Sequence, residues 1–245
     1  MPLQNRVTPL GELIETPERG LVYGNRGCLH DDHGIIRRQW QVKRWISCRL
    51  EFRGRRRVGG PMPPGRYTGL FFLDDATALA AGHRPCAECR NADYRSFLAL
   101  TGAAGADELD RRLHAERGRL HERALKELPD GAFVVLDGEP WLVLGSELLR
   151  WTPGGYTERR TRFNGRVDVV TPPTSVQVLA SGWSGSVPLV HPHAACPAAN
   201  WTSSTFPGES TRSATAQSTT SQGPDPSGKR RTSPSRGSRM ALGDR

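Results

Sequence analysis

Nowhere do the 245 residues contain a run near the roughly 20 apolar residues that a membrane-crossing helix needs. The opening, MPLQNRVTPLGELIE, has no basic segment followed by an apolar core, so no secretory signal is expected and a cytoplasmic location is the expectation. Cysteine is scarce, with five in the chain, which is no disulfide framework; in a reducing compartment a Cys-x-x-Cys is metal-binding or catalytic. There is no Gly-x-Ser-x-Gly elbow, no dinucleotide fingerprint and no paired-carboxylate constellation. GNRG at 24–27 lacks the Walker spacing and a following helix, and reads as a turn.

Acidic residues are short in two places. Residues 1–66 hold 13 Lys and Arg against 6 Asp and Glu, and residues 200–245 hold 7 against 3, whereas the middle is close to balanced. The net charge of +9 therefore sits in an Arg-rich N-terminal section, including Arg53, Arg55, Arg56 and Arg57, and in the tail. That asymmetry points to a polyanion partner, nucleic acid foremost. The tail itself lacks Val and Ile from Trp201 onward, and Ser, Thr, Pro and Gly supply 26 of its 45 residues. It cannot bury enough surface to offset chain entropy and is expected to be disordered.

What is present reads as strands, then helices, then strands, an α+β order. RWISCRLEF alternates, with Ile46, Cys48, Leu50 and Phe52 on one face; GIIRRQW (34–40) is a candidate partner strand, and RYTGLFFL (66–73) a central one. Asp74 or Asp75 caps a short helix ending on Gly82, and RNADYRSFLALTG is a second helix with Tyr94, Phe97 and Leu98 inward. Leu109, Leu113, Leu120 and Ala124 suggest one long helix over 106–128. Asp137-Gly138 marks a hairpin between AFVVL and PWLVL, and RVDVV and TSVQVLA read as further strands. The expected organisation is a metal-binding domain over 1–104 with antiparallel strands joined to two helices through a zinc site. A helix plus β section over 105–197 and a tail over 198–245 follow.

The chemistry centres on GHRPCAECRNADY. Cys86 and Cys89, two residues apart before a helix, suit a tetrahedral metal, because the spacer lets both thiolates face one centre while helix N–H groups stabilise their charge. Two more ligands are needed. Cys48 lies in a strand, and Cys28 is within two residues of His30, so that either residue serves if the stretch is extended. The expected set is Cys28, Cys48, Cys86 and Cys89, holding Zn2+, with His30 as the substitute for Cys28. His114 and His121 lie seven apart rather than at the His-Glu-x-x-His spacing, on what reads as a salt-bridged helix face. His191, His193 and Cys196 form a weaker cluster at the border of the tail.

The run FFLDDATALAAGHRPCAECR, residues 71–90, resembles the end of the zinc-binding N-terminal domain of Ada-type methyl-phosphotriester repair proteins. The resemblance lies in the Phe-bearing strand, the Ala-rich short helix, and the turn of Arg84 and Pro85 before Cys86 and Cys89. It implies that Cys86 and Cys89 are zinc ligands. No cysteine occurs between Cys48 and Cys86, so it implies zinc binding and not methyl acceptance. More broadly, residues 1–195 are similar to a family of uncharacterised bacterial proteins. Together these features point to a zinc-binding protein that contacts nucleic acid through its Arg-rich section. The alternative is a zinc-thiolate or zinc-hydrolase enzyme acting on alkylated DNA or another phosphate-containing substrate.

Overall fold

The computed structural model describes residues 1–53 and 60–195, all within one compact unit spanning Met1–Thr202. Arg55, Arg56 and Arg57, Cys196 and the tail lie outside the described residues. Among the described residues the architecture is α+β, with two six-stranded sheets and four α-helices.

The first sheet contains β1 (Gln4–Val7), β2 (Leu13–Glu15), β3 (Val22–Asn25), β4 (Ile46–Cys48), β5 (Leu70–Phe72) and the two-residue β6 (Arg84–Pro85). Its order is β2-β1-β5-β3-β4-β6. β5 is central, as its apolar composition predicts. The sheet is mixed and not wholly antiparallel, because β1 runs parallel to β5 and β4 parallel to β6. GIIRRQW does not form the expected partner strand: its only ladder contact is one isolated bridge, His30 to Ile36, and β4 pairs instead with β3 and β6. The alternation across RWISCRLEF also stops short. Trp45 and Ser47 are buried alongside Cys48 while Leu50 is exposed, because β4 is three residues long and covered on both faces.

A helix that must be small on every side follows β5. α1 (Asp75–Ala80) is buried at all six residues. Ala78 packs with the apolar residues of β1, β3 and β5, Ala76 and Ala80 pack with Phe133, Leu142 and Trp151, and Leu79 packs with Phe97, Leu109 and Leu113. A helix hemmed in all round needs Ala, which is why ATALAA carries no hydrophobic stripe. Asp74 is the cap: its Oδ1 accepts from the Thr77 N–H at 2.9 Å, and its Oδ2 accepts from the Tyr156 hydroxyl at 2.7 Å and the His191 N–H at 2.9 Å. Burial pushes the Asp74 carboxyl up, against these bonds.

α2 (Asn91–Thr101) and α3 (Ala106–Glu116) follow. The long helix expected over 106–128 ends at Glu116. Gly118 takes a left-handed φ of +68°, and His121–Ala124 becomes strand β7 rather than a further turn, leaving Leu120 exposed. The second sheet adds β8 (Phe133–Leu136), β9 (Glu139–Leu144), β10 (Glu147–Thr152), β11 (Gly155–Thr161) and β12 (Arg166–Val169), in the order β11-β10-β9-β8-β12-β7, every pair antiparallel. Asp137 (φ +54°) and Gly138 (φ +81°) make the tight turn joining β8 to β9, as their pairing predicts. TSVQVLA is not a strand but lies in α4 (Pro173–Ala180): Pro173 sits in the first helical turn, and Val178 and Leu179 pack onto Phe97, Leu109 and Leu113. β-branched composition favoured a strand there, and tertiary burial overrode it.

One buried ion pair joins β6 to α3. Arg84 donates from Nε and Nη2 to the two Asp110 carboxylate oxygens, both at 2.9 Å, with side chains only 2% and 7% exposed. Removing one partner strands the other charge in the interior. Asp110→Ala should therefore lower stability by about 3–5 kcal/mol. The surface control Arg166→Ala, which breaks an exposed pair with Glu122, should cost no more than about 1 kcal/mol. Urea unfolding of the three proteins measures both.

Candidate metal centre

The parallel pairing of β4 with β6 builds the site. Ser47 stands beside Pro85 in the ladder, and the Cys86 N–H donates to the Ser47 carbonyl at 2.9 Å. Cys48 and Cys86, each one residue further on, are thereby brought side by side at the sheet's edge. The chain then turns through Ala87 and Glu88, and Cys89 completes the group immediately before α2. One ligand atom from each of Cys48, Cys86 and Cys89 lies within 4.8 Å of the others, and the thiols are free. Tyr23, Phe71 and Ile46 enclose the cluster on the sheet side. Cys48 and Cys86 are buried, whereas Cys89 is half-buried and flanked by exposed Ala87 and Glu88.

The peptide groups are turned toward sulfur. The Glu88 N–H donates to Cys86 Sγ at 3.4 Å, the Cys89 N–H also reaches Cys86, and the Arg49 N–H reaches Cys89. Hydrogen bonds from Cys48 and Cys89 are the main cause holding Cys86 down toward its thiolate. The Cys48 thiol is pushed up, first by its bond to Cys86 and then by Cys89 and burial. Cys89 is lowered by Cys48 but raised by Cys86 and burial, with a net rise. Three thiols this close, with N–H groups aimed at them, could hold a metal ion that favours soft ligands.

Behind the cysteines lies a buried guanidinium. Arg90 follows Cys89 directly; its Nη1 and Nη2 donate to the Asp75 carboxylate at 2.7 Å each, its Nε to Asp93 at 2.7 Å, and Nη1 also to the Ser47 hydroxyl at 2.9 Å. Ser47 precedes Cys48, so one side chain braces the backbone on both sides of the thiol group. Asp93 in turn accepts from the Ser186 N–H and hydroxyl. This brace has no motif and could not be read from spacing.

The expected ligand set is brought together in part. Cys28 lies outside the group of three: its Sγ donates to the His30 carbonyl at 3.5 Å, and its N–H donates to Gln41. His30 is likewise engaged elsewhere, with Nδ1 2.6 Å from the Thr68 hydroxyl and Nε2 3.2 Å from the Pro63 carbonyl. His114 and His121 do not share a helix face, since His121 is in β7 and its Nε2 is 2.9 Å from the Thr171 carbonyl. His191 is buried against Asp74, while the His193 side chain and Cys196 are outside the described residues. No other group of three His, Cys, Asp or Glu among the described residues is close enough to hold an ion. No helix among them is long and apolar enough to cross a membrane.

No protein-family model, curated protein or solved structure matches this chain.

A metal held by this group of three thiols has a direct consequence. Cys48→Ala, Cys86→Ala and Cys89→Ala should each abolish stoichiometric metal, measured by elemental analysis of the purified protein, whereas Cys28→Ala should retain the wild-type content.

Proposed function

We propose that Cys48, Cys86 and Cys89 hold a zinc ion that ties β4 to the turn entering α2; the resemblance of residues 71–90 to the Ada-type zinc domain implies zinc at Cys86 and Cys89, and the cluster of three adds Cys48. The observation that carries this reading is the convergence of three free thiols to within 4.8 Å on a ladder that sets them side by side. Thiolates suit zinc in type and number, and the site has the Cys-x-x-Cys spacing common to structural zinc centres. Zinc bound here contributes directly to folding stability, because the unfolded chain presents no such site.

The same reading places nucleic acid against the N-terminal section. Residues 37–44, RRQWQVKR, are exposed throughout, combining Arg37, Arg38, Lys43 and Arg44 with a Trp40 ring that is 43% exposed. Cations that neutralise phosphates next to an aromatic platform are what a single-stranded or backbone-reading surface requires. A second reading rests on the count of protein ligands. Three leave one position of a tetrahedral ion for water or a substrate, which suits zinc-thiolate or zinc-hydrolase chemistry on an alkylated or phosphate-containing substrate.

Removing zinc with a chelator should lower the thermal midpoint sharply, and re-addition should restore it. Binding to a fluorescent single-stranded oligonucleotide should weaken steeply with salt. Replacing Arg38, Lys43 and Arg44 with Ala should then reduce the slope of log K against log salt by roughly 2 to 3. Salt-insensitive binding, or none, contradicts the nucleic-acid part and leaves the metal part standing.

A further inference from the structure

A cavity of about 820 Å3 opens on residues 10–14, the 39–45 loop and the end of α3. It takes no part in the cysteine site. Its charged lining is cationic, Arg26, Arg117 and Arg119 against Glu12 alone, while burial and the Arg117 and Lys43 charges lower His114 toward its neutral form.

Arg26 is fully buried and meets no carboxylate. Its Nε donates to His83 Nε2 at 3.2 Å, its Nη1 donates to the Gly11 carbonyl at 2.8 Å, and its Nη2 is buried without a partner. Burial, reinforced by Arg26 and Arg117, keeps His83 well below the usual histidine range, so this ring is neutral and supplies no countercharge. Arg117 is half-buried and makes no ion pair, although the Asp110 and Glu116 charges act on it and raise it against burial. Its Nε donates to the Gly82 carbonyl and its Nη1 to the Lys43 carbonyl, both at 2.9 Å, while its Nη2 is buried and unpartnered. Both guanidinium groups lie on Trp45, 3.9 Å and 4.3 Å from the ring centroid. Gly82 has a φ of +78° and passes so close to Arg117 that a Cβ would stand 2.5 Å from its Cγ, so the backbone itself makes room for this side chain.

Burial, as the first cause, depresses both groups to about 9, and Arg117 adds to the effect at Arg26. They stay charged at neutral pH. Elsewhere the protein pairs its buried arginines, Arg84 with Asp110 and Arg90 with Asp75 and Asp93. A buried and a half-buried cation that share one aromatic ring, each with an idle buried N–H group, are costly unless an anion completes them. Apolar surface also lines it: Trp40 lies edge-on to His114 with ring centroids 4.7 Å apart, and Leu10 and Leu120 are exposed.

We propose that this cavity binds a small molecule joining an oxyanion, phosphate or carboxylate, to a flat ring, with Arg26 and Arg117 taking the oxyanion and Trp40 the ring. The volume is ample for a nucleotide-sized ligand, within the roughly 300–1,000 Å3 of small-molecule sites. The proposal stands whether or not the cysteines hold zinc.

Titration calorimetry and tryptophan fluorescence of the full chain at low salt would use AMP, adenosine, indole-3-acetate and inorganic phosphate as probes. The expected result is a Kd below about 1 mM for AMP or indole-3-acetate, at least roughly tenfold tighter than for adenosine or phosphate. Binding of AMP alone assigns a phosphate ester, and of indole-3-acetate alone a carboxylate. Arg117→Met and Trp40→Ala should each weaken that binding about tenfold or more, while Arg166→Ala should leave it unchanged. Trp40 is surface-exposed, so its replacement tests the site even if Arg117→Met fails to fold. Equal affinity for AMP and adenosine, no probe binding below about 10 mM, or wild-type binding by Trp40→Ala would overturn the proposal.

Discussion

The candidate metal centre depends on one buried cation. Arg90 sits at the entrance to α2 with its guanidinium enclosed by Asp75 at the start of α1, Asp93 in α2 and Ser47 in β4. These three attachments fix the peptide beside Cys48 and the peptide beside Cys89 relative to the same group. A charge at 0% exposure is tolerated because two carboxylates and a hydroxyl satisfy it, and the geometry demanded by those bonds places the thiols. Against burial, Asp75 and then Asp93 hold Arg90 firmly in its charged form.

The buried and half-buried arginines are of two kinds. Arg84 and Arg90 have carboxylate partners and serve the architecture, joining β6 to α3 and α1 to α2. Arg26 and Arg117 have carbonyls, an uncharged imidazole and a shared indole, and each leaves a nitrogen idle. On the proposal above, an oxyanion held in the cavity would complete both groups. α1 links the two regions: Asp75 at its start faces Arg90, and its far end leads through Gly82 to Arg117.

Local chemistry was legible wherever one residue decides the outcome. An aspartate cap on α1 at position 74 or 75, the Asp137-Gly138 turn, the central position of β5 and the Cys86/Cys89 turn before α2 each follow from a side chain's own preferences. The failures share a cause in long-range packing. The leucine spacing of α3 continues past Gly118, but pairing of His121–Ala124 with β12 claims that segment for a sheet. TSVQVLA has strand-like composition and is held as a helix by its contacts with α2 and α3. Cys48 was a fair candidate from its strand alone. Spacing could not choose between Cys28 and His30, because Thr68 and Pro63, which engage the His30 ring, are more than 30 residues away. The Arg26–Trp45–Arg117 stack was beyond sequence reading for the same reason: its members are scattered over three segments and match no motif.

X-ray absorption at the metal edge of the purified full chain tests the central claim most directly. Three sulfur neighbours at about 2.3 Å with one lighter atom completing the shell is the predicted result for zinc on Cys48, Cys86 and Cys89. A first shell with two sulfurs or fewer, or no bound metal at all, would contradict it.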